Sequence, residues 1–298
     1  MATTPRPVIE SVVRSICGRE VEQLARLTSG GLHETYRVEL RNDVPVVIRI
    51  ARRPVPWLTD EEHVMAKARD VGVPTPNVLG VGQVNHDGEL LSFSILQLVP
   101  GRSLDELACE LPASDLERLI IDAGELLARV HGVVADRGIP HELEPPDGRF
   151  VARAVRVANQ AHGPAAAAVV ERGAVLLRDE LMSRPAPRVS LAHGDWLPKH
   201  LLIDDGRIVS VIDWEFAGPA SPAFDLARWE VSAGDRLHDR SDLLRRGYAR
   251  VADPDAADTG WVPAFAIGWA LEVLGWKNPA SPARLRRCVD VIARYAGA

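Results

Sequence analysis

Residues 190–230 of this chain read SLAHGDWLPKHLLIDDGRIVSVIDWEFAGPASPAFDLARWE. Two aspartates in this stretch, Asp195 and Asp213, each follow a short apolar segment. Turn residues between two further apolar runs predict a β-hairpin that separates these aspartates along the chain. The predicted hairpin consists of residues 201–203, a turn at 204–206 and residues 208–212. Such a hairpin would bring the two carboxylates, which are distant along the chain, to the same end of the hairpin.

The two carboxylates fit the requirements of phosphoryl transfer. That reaction needs one carboxylate beside the attacking hydroxyl and a second one that holds Mg²⁺ across the phosphates of a nucleotide. Kinases place the first on a loop before a β-hairpin and the second directly after it. Asp195 fits the first role, as the catalytic residue, and Asp213 fits the second, as a metal ligand.

The ordered motifs resemble those of the aminoglycoside phosphotransferase family of small-molecule kinases. The matching segments are His193-Gly194-Asp195 followed by Pro198, then Ile212-Asp213-Trp214, then Asp225-Leu226-Ala227. The resemblance implies an α+β, bilobal, protein-kinase-like fold, with a small N-terminal five-stranded antiparallel sheet and a larger, mainly helical C-terminal lobe. It also implies that His193 supports the catalytic loop and that Asp225 braces it.

One position departs from the family pattern. Five residues after Asp195, where most of the family carries an Asn that binds the metal, this chain has His200. Macrolide phosphotransferases are similar in carrying His there. Because Mg²⁺ prefers oxygen ligands and imidazole suits softer metals, His200 is predicted either to be a weak or Mn²⁺-tolerant ligand or to order water beside the metal.

The N-terminal third is predicted to build the nucleotide-binding lobe. Residues 6–26 show an imperfect apolar face and predict one helix. Ser29, Gly30 and Gly31 open the segment SGGLHETYRV, which resembles the family's nucleotide loop over the phosphates; an ordinary hairpin is the alternative. Strands are predicted at residues 35–40, 46–50, 78–83 and 90–97.

Arg49 is the predicted phosphate-binding base of this lobe. It lies inside the apolar strand VVIRI, where a charge needs a partner, and the sequence has no lysine before Lys67. The alternative is a cation at the strand edge that extends to the surface. The resemblance implies that Glu61, on the next helix, pairs with Arg49; Glu62 is the near alternative because helix boundaries drift.

The segment Gln97-Leu98-Val99-Pro100-Gly101 matches the family's hinge. The resemblance implies that backbone groups at Gln97 and Val99 contact the adenine edge. A hinge at about residues 97–102 would divide the chain into a nucleotide-binding lobe, residues 1–98, and a catalytic and acceptor-binding lobe, residues 99–298. The implied cofactors are ATP, with GTP possible as in macrolide kinases, and Mg²⁺.

The C-terminal helices are where this family builds its acceptor pocket, and they are predicted at residues 222–232, 241–251, 262–276 and 282–296. Trp269, Glu272 and Trp276 are three and four positions apart, so two indoles flanking a carboxylate could hold an ammonium group or a sugar face. Tryptophans buried in the core are the alternative. Asp235 is the fourth residue predicted for acceptor binding.

Composition narrows the possible functions. With 46% hydrophobic and 26% charged residues, the chain is an ordinary globular protein. We expect a cytoplasmic protein without a membrane partner, because no apolar run reaches the roughly 18 residues of a membrane span and the N-terminus lacks a signal-peptide apolar region. The expected oligomeric state is a monomer or a homodimer. A net charge of −6 without a basic cluster argues against a nucleic-acid partner.

The sequence therefore predicts a nucleotide-dependent O-phosphotransferase whose acceptor is a small molecule. An aminoglycoside or related antibiotic, inactivated to give resistance, is the first expectation. A macrolide kinase using GTP and a metabolic kinase for choline, homoserine or a sugar are the alternatives. A nucleotide-binding pseudokinase is disfavoured because Asp195 and Asp213 are both present, and a protein kinase because no A-P-E segment follows Asp213.

Overall fold

The computed structural model describes residues 3–27, 33–51, 57–234, 236–277 and 280–297. The first part of the chain forms α1 (Arg6–Cys17), β1 (Val21–Leu27), β2 (Glu34–Leu40), β3 (Val46–Ala51), α2 (Trp57–Asp70), β4 (Val78–His86) and β5 (Glu89–Gln97). The middle forms β6 (Arg102–Ser103), α3 (Leu104–Leu107), α4 (Ala113–His131), α5 (Gly148–His162), α6 (Pro164–Ser183), β7 (Ser190–Ala192), β8 (Leu201–Asp204) and β9 (Arg207–Val211). The last part forms β10 (Gly218–Ala220), α7 (Pro222–Ser232), α8 (Ser241–Tyr248), α9 (Val262–Gly275) and α10 (Pro282–Ala296).

The first five strands form one antiparallel sheet in the order β1-β2-β3-β5-β4. This sheet and the helices that follow confirm the predicted α+β class. The single helix predicted over residues 6–26 is wrong. Gly18 takes the left-handed conformation, with φ 65°, and its N–H closes α1 on the carbonyl of Arg14. The glycine ends the helix, and the chain then enters β1.

Two hydrophobic clusters stabilise the fold. The smaller one joins α1 to the sheet through residues such as Ile9, Val13 and Ile48. The larger one contains the buried side chains of the later helices, and it also includes Val64 and Met65 of α2. Helix α2 is therefore anchored in the larger cluster although it lies between strands of the sheet along the chain.

The predicted hairpin is present as β8 and β9, which pair from Leu201↔Val211 to Asp204↔Arg207. Asp205 and Gly206 at its tip both have positive φ, 45° and 66°, which is the backbone of a two-residue type I′ turn. At its open end, the N–H of Ile212 donates to the carbonyl of His200 at 3.0 Å. The segments that carry Asp195 and Asp213 thus leave the hairpin side by side.

The helices after this hairpin largely follow the sequence pattern. Helix α10 starts at Pro282, and the Oγ of Ser281 accepts the N–H of Arg284 as an N-cap. Helix α8 ends at Tyr248, three residues before the predicted end. Among the described helices, none combines the length and the apolar composition that crossing a membrane requires.

Candidate active site

Asp195 lies in the loop after β7, and the conformation of the preceding glycine sets the path of that loop. Gly194 has φ 82°, a conformation that favours glycine. A Cβ atom at Gly194 would lie 2.2 Å from the carbonyl oxygen of Phe216, so no larger residue fits. Burial raises the pKa of Asp195, but Arg228, His200 and Lys199 together lower it below its ordinary value. The Asp195 side chain is therefore an oriented, ionised carboxylate.

His193 joins the two segments that carry the aspartates. Its Nδ1 accepts the N–H of Asp195 at 3.2 Å, and its Nε2–H donates to the carbonyl of Ile212 at 3.1 Å. These partners assign one neutral tautomer to the ring. Burial lowers the pKa of His193 to about 4, so the ring stays neutral near pH 7. These two hydrogen bonds tie the segments of Asp195 and Ile212 together, and the support role of His193 stays a prediction.

Asp225 lies beneath the same loop, at the start of α7. Its carboxylate accepts the backbone N–H groups of His193 at 2.8 Å and Gly194 at 2.9 Å. His131 of α4 lies 3.1 Å away on the same carboxylate. Asp225 is fully buried, so these groups replace the water that a carboxylate would otherwise require. The carboxylate of Asp225 therefore holds the backbone of the loop from below.

We expect Asp225→Asn to destabilise the fold by about 2–4 kcal/mol, because one amide oxygen cannot replace a carboxylate that accepts several hydrogen bonds. Burial raises the pKa of Asp225, but the hydrogen bond and charge of His131 and the contacts of His193 lower it overall. The contribution of the carboxylate is therefore complete above its unfolded pKa of about 3.9 and is lost as the pH falls through the lower folded pKa.

Thermal or urea unfolding at pH 7 and near pH 3 measures this effect, and Asp122→Asn is the matched control. Asp122 is 40% exposed and contacts Arg118 at 3.4 Å, so its replacement should cost under about 0.5 kcal/mol. Equal losses for the two variants would contradict the bracing role of Asp225.

Asp195, His200 and Asp213 form a cluster that can hold a metal ion. One ligand atom from each lies within 4.8 Å of the others. The Nδ1–H of His200 donates to the backbone carbonyl of Asp195 at 2.9 Å, while its Nε2 lies 3.1 Å from Oδ2 of Asp213. Burial raises the pKa of Asp213, but His200 and Arg49 lower it well below its usual range. Carboxylate oxygens and an imidazole nitrogen therefore converge, a donor set that fits a divalent cation.

Arg49 of β3 reaches the same site from the sheet. Its Nη1 donates to Oε1 of Glu61 at 2.5 Å, and its Nη2 donates to Oε2 of Glu215 at 2.9 Å. The same Nη2 lies 3.5 Å from Oδ1 of Asp213. The predicted Arg49–Glu61 ion pair is thus confirmed, and the alternatives of Glu62 and of a surface cation are wrong. Burial disfavours the charged guanidinium, but these carboxylates stabilise it and raise its pKa.

A cavity of about 750 Å³ connects these groups. Its lining includes Arg49 and Glu61, Gln97 and Val99 of the predicted hinge, and Asp195, His200 and Asp213. The N–H of Gln97 donates to the carbonyl of Asn77 at 2.8 Å, so a main-chain contact of Gln97 with a nucleotide is left to its carbonyl oxygen. Ser29, Gly30 and Gly31 of the predicted nucleotide loop, and Asp235, lie outside the described residues.

A comparison with family models assigns the chain to a family. The model of the phosphotransferase enzyme family matches residues 23–269, which include strands β2 to β5, the loop of Asp195 and helices α2 to α8. The chain belongs to the phosphotransferase enzyme family. Its predicted membership is therefore confirmed by the greater part of the chain as well as by the motifs.

Solved phosphotransferase structures share the fold over nearly the whole chain. Aminoglycoside phosphotransferase APH(4)-Ia has a TM-score of 0.67 at 17% identity, with 98% of each chain covered. Macrolide 2′-phosphotransferase MphH from Brachybacterium faecium has a TM-score of 0.56 at 19% identity, with 96% of this chain and 97% of that chain covered. At these identities the likeness shows the fold, which is the predicted kinase-like one.

A curated relative matches a shorter segment of this phosphotransferase-family chain. The uncharacterised protein YcbJ of Bacillus subtilis (strain 168) is 26% identical over 163 residues, which are 51% of this chain and 52% of that protein. The chain therefore aligns with about half the length of that relative.

The aromatic face predicted for the acceptor differs from expectation. The ring centroids of Trp269 and Trp276 lie 5.8 Å apart in an edge-to-face arrangement. An arginine side chain lies over each of the two indoles. The Cζ of Arg228 lies 3.5 Å from the ring centre of Trp269, and that of Arg284 lies 4.9 Å from the ring centre of Trp276. Helical spacing did not show that α7 and α10 supply guanidinium groups to both indoles. The role of Trp269, Glu272 and Trp276 in acceptor binding stays a prediction.

Trp269 and Glu272 nevertheless line a second cavity, of about 380 Å³, which Trp276 does not reach. Phe224 and Trp269, which lie on its wall, are also the two rings that flank Arg228. The carboxylate side chains of this wall come from Glu142, Glu144, Asp147 and Glu272. An acidic and aromatic cavity therefore lies one side chain away from Asp195, because Arg228 contacts both Asp195 and these rings.

Sequence reasoning missed three charged residues at the site. Glu215 holds Arg49, Lys199 lies 3.4 Å from Oδ2 of Asp195, and Arg228 donates to Oδ1 of Asp195. A signal existed for two of them. Glu215 comes two positions after Asp213, and Arg228 comes three positions after Asp225 on the same face of a helix.

Proposed function

We propose that the protein transfers the γ-phosphoryl group of ATP to a hydroxyl group of a small molecule. The observation that carries this proposal is the convergence of Asp195, His200 and Asp213 on one side of a cavity that Arg49 enters from the sheet. One carboxylate is then available to a hydroxyl, while the other belongs to a cation and phosphate site.

In this proposal the sheet and the hinge hold the nucleotide. Residues 1–98 form the nucleotide-binding lobe and residues 99–298 form the catalytic and acceptor-binding lobe. The carbonyl of Gln97 and the N–H of Val99 contact the base, and Arg49, fixed by Glu61, binds the phosphates. Ser29, Gly30 and Gly31 cover the phosphates, as the family motif implies.

The reaction follows from these positions. Asp195 orients the acceptor hydroxyl and accepts its proton, while the hydroxyl oxygen attacks the γ-phosphorus. The bond from that phosphorus to the β–γ bridging oxygen breaks, and its electron pair leaves with ADP. Asp213 and His200 would hold the divalent metal, which when bound neutralises phosphate charge. His193 keeps the two aspartates in register during transfer.

For the acceptor, we propose an amine-bearing antibiotic of the aminoglycoside type. Four carboxylate residues and aromatic rings line the second cavity, which suits a polycation with apolar ring faces. A related fold supports this class, because a mutant of APH(4)-Ia was solved as a ternary complex with ADP and hygromycin B. His200 favours the second candidate, a macrolide kinase that uses GTP.

The test is nucleotide consumption with ATP and GTP in parallel, in the presence of Mg²⁺ or Mn²⁺. The acceptor panel contains aminoglycosides, peptide antibiotics, macrolides, choline, homoserine and sugars. We expect turnover that depends on an aminoglycoside and yields a phosphorylated product by mass spectrometry. Macrolide-dependent turnover would select the second candidate, and nucleotide binding without turnover on the whole panel would overturn the proposed transfer.

A further inference from the structure

We infer that Arg228 is a positioning residue of the active site: it holds Oδ1 of Asp195, so that Oδ2 is the oxygen that meets the acceptor hydroxyl. This inference rests on the proposed phosphotransferase function. The two oxygens of the Asp195 carboxylate thereby have different roles.

Arg228 belongs to the same structural unit as the brace of the loop. It lies three residues after Asp225 on α7, so both side chains leave the same face of that helix. Asp225 accepts the backbone N–H groups of His193 and Gly194, and Arg228 donates through Nη2 to the carboxylate of Asp195. One helix face therefore fixes both the main chain of the loop and the orientation of the side chain that it presents.

The guanidinium of Arg228 is itself held firmly. The residue is only 8% exposed, and its Cζ lies 3.5 Å from the ring centre of Trp269 and 5.8 Å from that of Phe224. The indole is fixed in turn, because its Nε1–H donates to Oγ of Ser232 at 2.8 Å. A buried arginine stacked on a ring loses little further freedom when it pairs with a carboxylate. Arg228 can therefore determine the rotation of Asp195.

The contact at the other oxygen is of a different kind. Lys199 lies 3.4 Å from Oδ2 of Asp195, and its side chain is 55% exposed. Exposed lysine–carboxylate pairs are weak, so an incoming hydroxyl can displace this one at small cost. The Arg228 contact is shielded from water and stacked, so it persists. This asymmetry leaves Oδ2 as the oxygen that faces the acceptor hydroxyl, which reaches it from the first cavity, lined by Asp195 and Lys199. The amine-bearing rings of the acceptor would then extend past Arg228 to the second cavity.

Orientation is what an attacking hydroxyl requires. A displacement of about 1 Å in a reacting group can reduce the rate about 10²-fold, even when binding is unchanged. Without Arg228, the carboxylate of Asp195 could rotate and share its two oxygens among Lys199, His200 and solvent. The predicted loss is therefore in kcat, with the KM for the nucleotide preserved.

The experiment compares Arg228→Met, which keeps an apolar chain against Trp269 but removes the donor, with Arg228→Lys, which restores a charge. The matched control is Arg184→Met. Arg184 lies 4.9 Å from the ring centre of Trp261 and pairs with Glu180, so it also stacks on a tryptophan but has no contact with Asp195.

We expect Arg228→Met to lower kcat about 10²-fold with the nucleotide KM within about twofold, Arg228→Lys to recover about tenfold of that loss, and Arg184→Met to change kcat less than about twofold. If Arg228→Met keeps the kcat of an active wild type, or if Arg184→Met loses as much, the inference is overturned while the proposed function stands.

A stability cycle provides a readout that needs no acceptor. The unfolding midpoints of Asp195→Ala, Arg228→Met and the double variant are measured with the wild type. Removal of one member leaves the other as a buried group without its partner, so the double variant should lose less than the sum of the single losses. Additive losses would overturn the inference. Phosphoryl transfer missing from the wild type on every acceptor would overturn the proposed function, and this cycle would then decide whether Arg228 holds Asp195.

Discussion

Asp195→Asn should lower kcat by about 10³–10⁴-fold, a loss typical of a missing general base. The replacement keeps the shape of the side chain and its contact with Arg228, but an amide cannot accept the proton of the acceptor hydroxyl. Nucleotide affinity should stay within about twofold, because Arg49 and the hinge remain intact. Steady-state kinetics with the acceptor identified in the panel, together with calorimetric nucleotide titration, measure the two quantities separately.

Asp43→Asn is the matched control for this variant. Asp43 pairs with Arg19 at 2.9 Å in the turn between β2 and β3, so it is a carboxylate paired with an arginine outside the active site. Its replacement should leave kcat unchanged within about twofold. A residual rate for Asp195→Asn within tenfold of the wild type would mean that another group orients the hydroxyl, and the assignment of Asp195 would be wrong.

The second large effect is expected for Asp213→Asn, which should lower kcat about 10³-fold and weaken the dependence of nucleotide binding on metal. Asp213 is the site carboxylate that both Nε2 of His200 and Nη2 of Arg49 approach, at 3.1 Å and 3.5 Å. Its removal takes away negative charge from the position where a divalent cation and the phosphates meet. Nucleotide titrations with Mg²⁺, Mn²⁺ or EDTA measure the loss, and binding of Mn²⁺ itself can be followed by electron paramagnetic resonance.

His200→Asn is the comparison variant for this prediction. It restores an oxygen ligand where the wild type offers an imidazole nitrogen, so we expect it to retain activity and to shift metal preference from Mn²⁺ towards Mg²⁺. The ratio of Mn²⁺ affinity to Mg²⁺ affinity should fall about tenfold. An unchanged ratio would show that His200 does not contact the metal, and an Asp213→Asn variant with wild-type metal dependence would remove Asp213 from the metal site.

Motif spacing predicted the parts of the site that follow one another closely along the chain. The hairpin between Asp195 and Asp213 could be predicted because turn residues at 204–206 separate two apolar runs. For the ion pair of Arg49 and Glu61, the physical rule predicted only that a charge inside an apolar strand needs a partner. The choice of Glu61 rather than Glu62 came from the family resemblance.

Contacts between helices that are distant along the chain could not be predicted in this way. Helical spacing placed Trp269 and Trp276 on one face, but only packing shows that Arg228 and Arg284 cover them. A local error also occurred at Gly18, where the apolar pattern of α1 continues into β1 although the left-handed glycine ends the helix. Periodicity reports which side chains prefer burial, and it does not report which neighbour buries them.

The neutral ring of His193 restricts what evolution can place at that position. The side chain must accept a hydrogen bond from the N–H of Asp195 and donate one to the carbonyl of Ile212. A carboxylate lacks the donor, an ammonium or guanidinium group lacks the acceptor, and aliphatic groups lack both. Only another side chain with both a hydrogen-bond donor and an acceptor, such as an amide, could replace the imidazole. Substitution of His193 is thus limited by the hydrogen bonds that the side chain must make as well as by its volume.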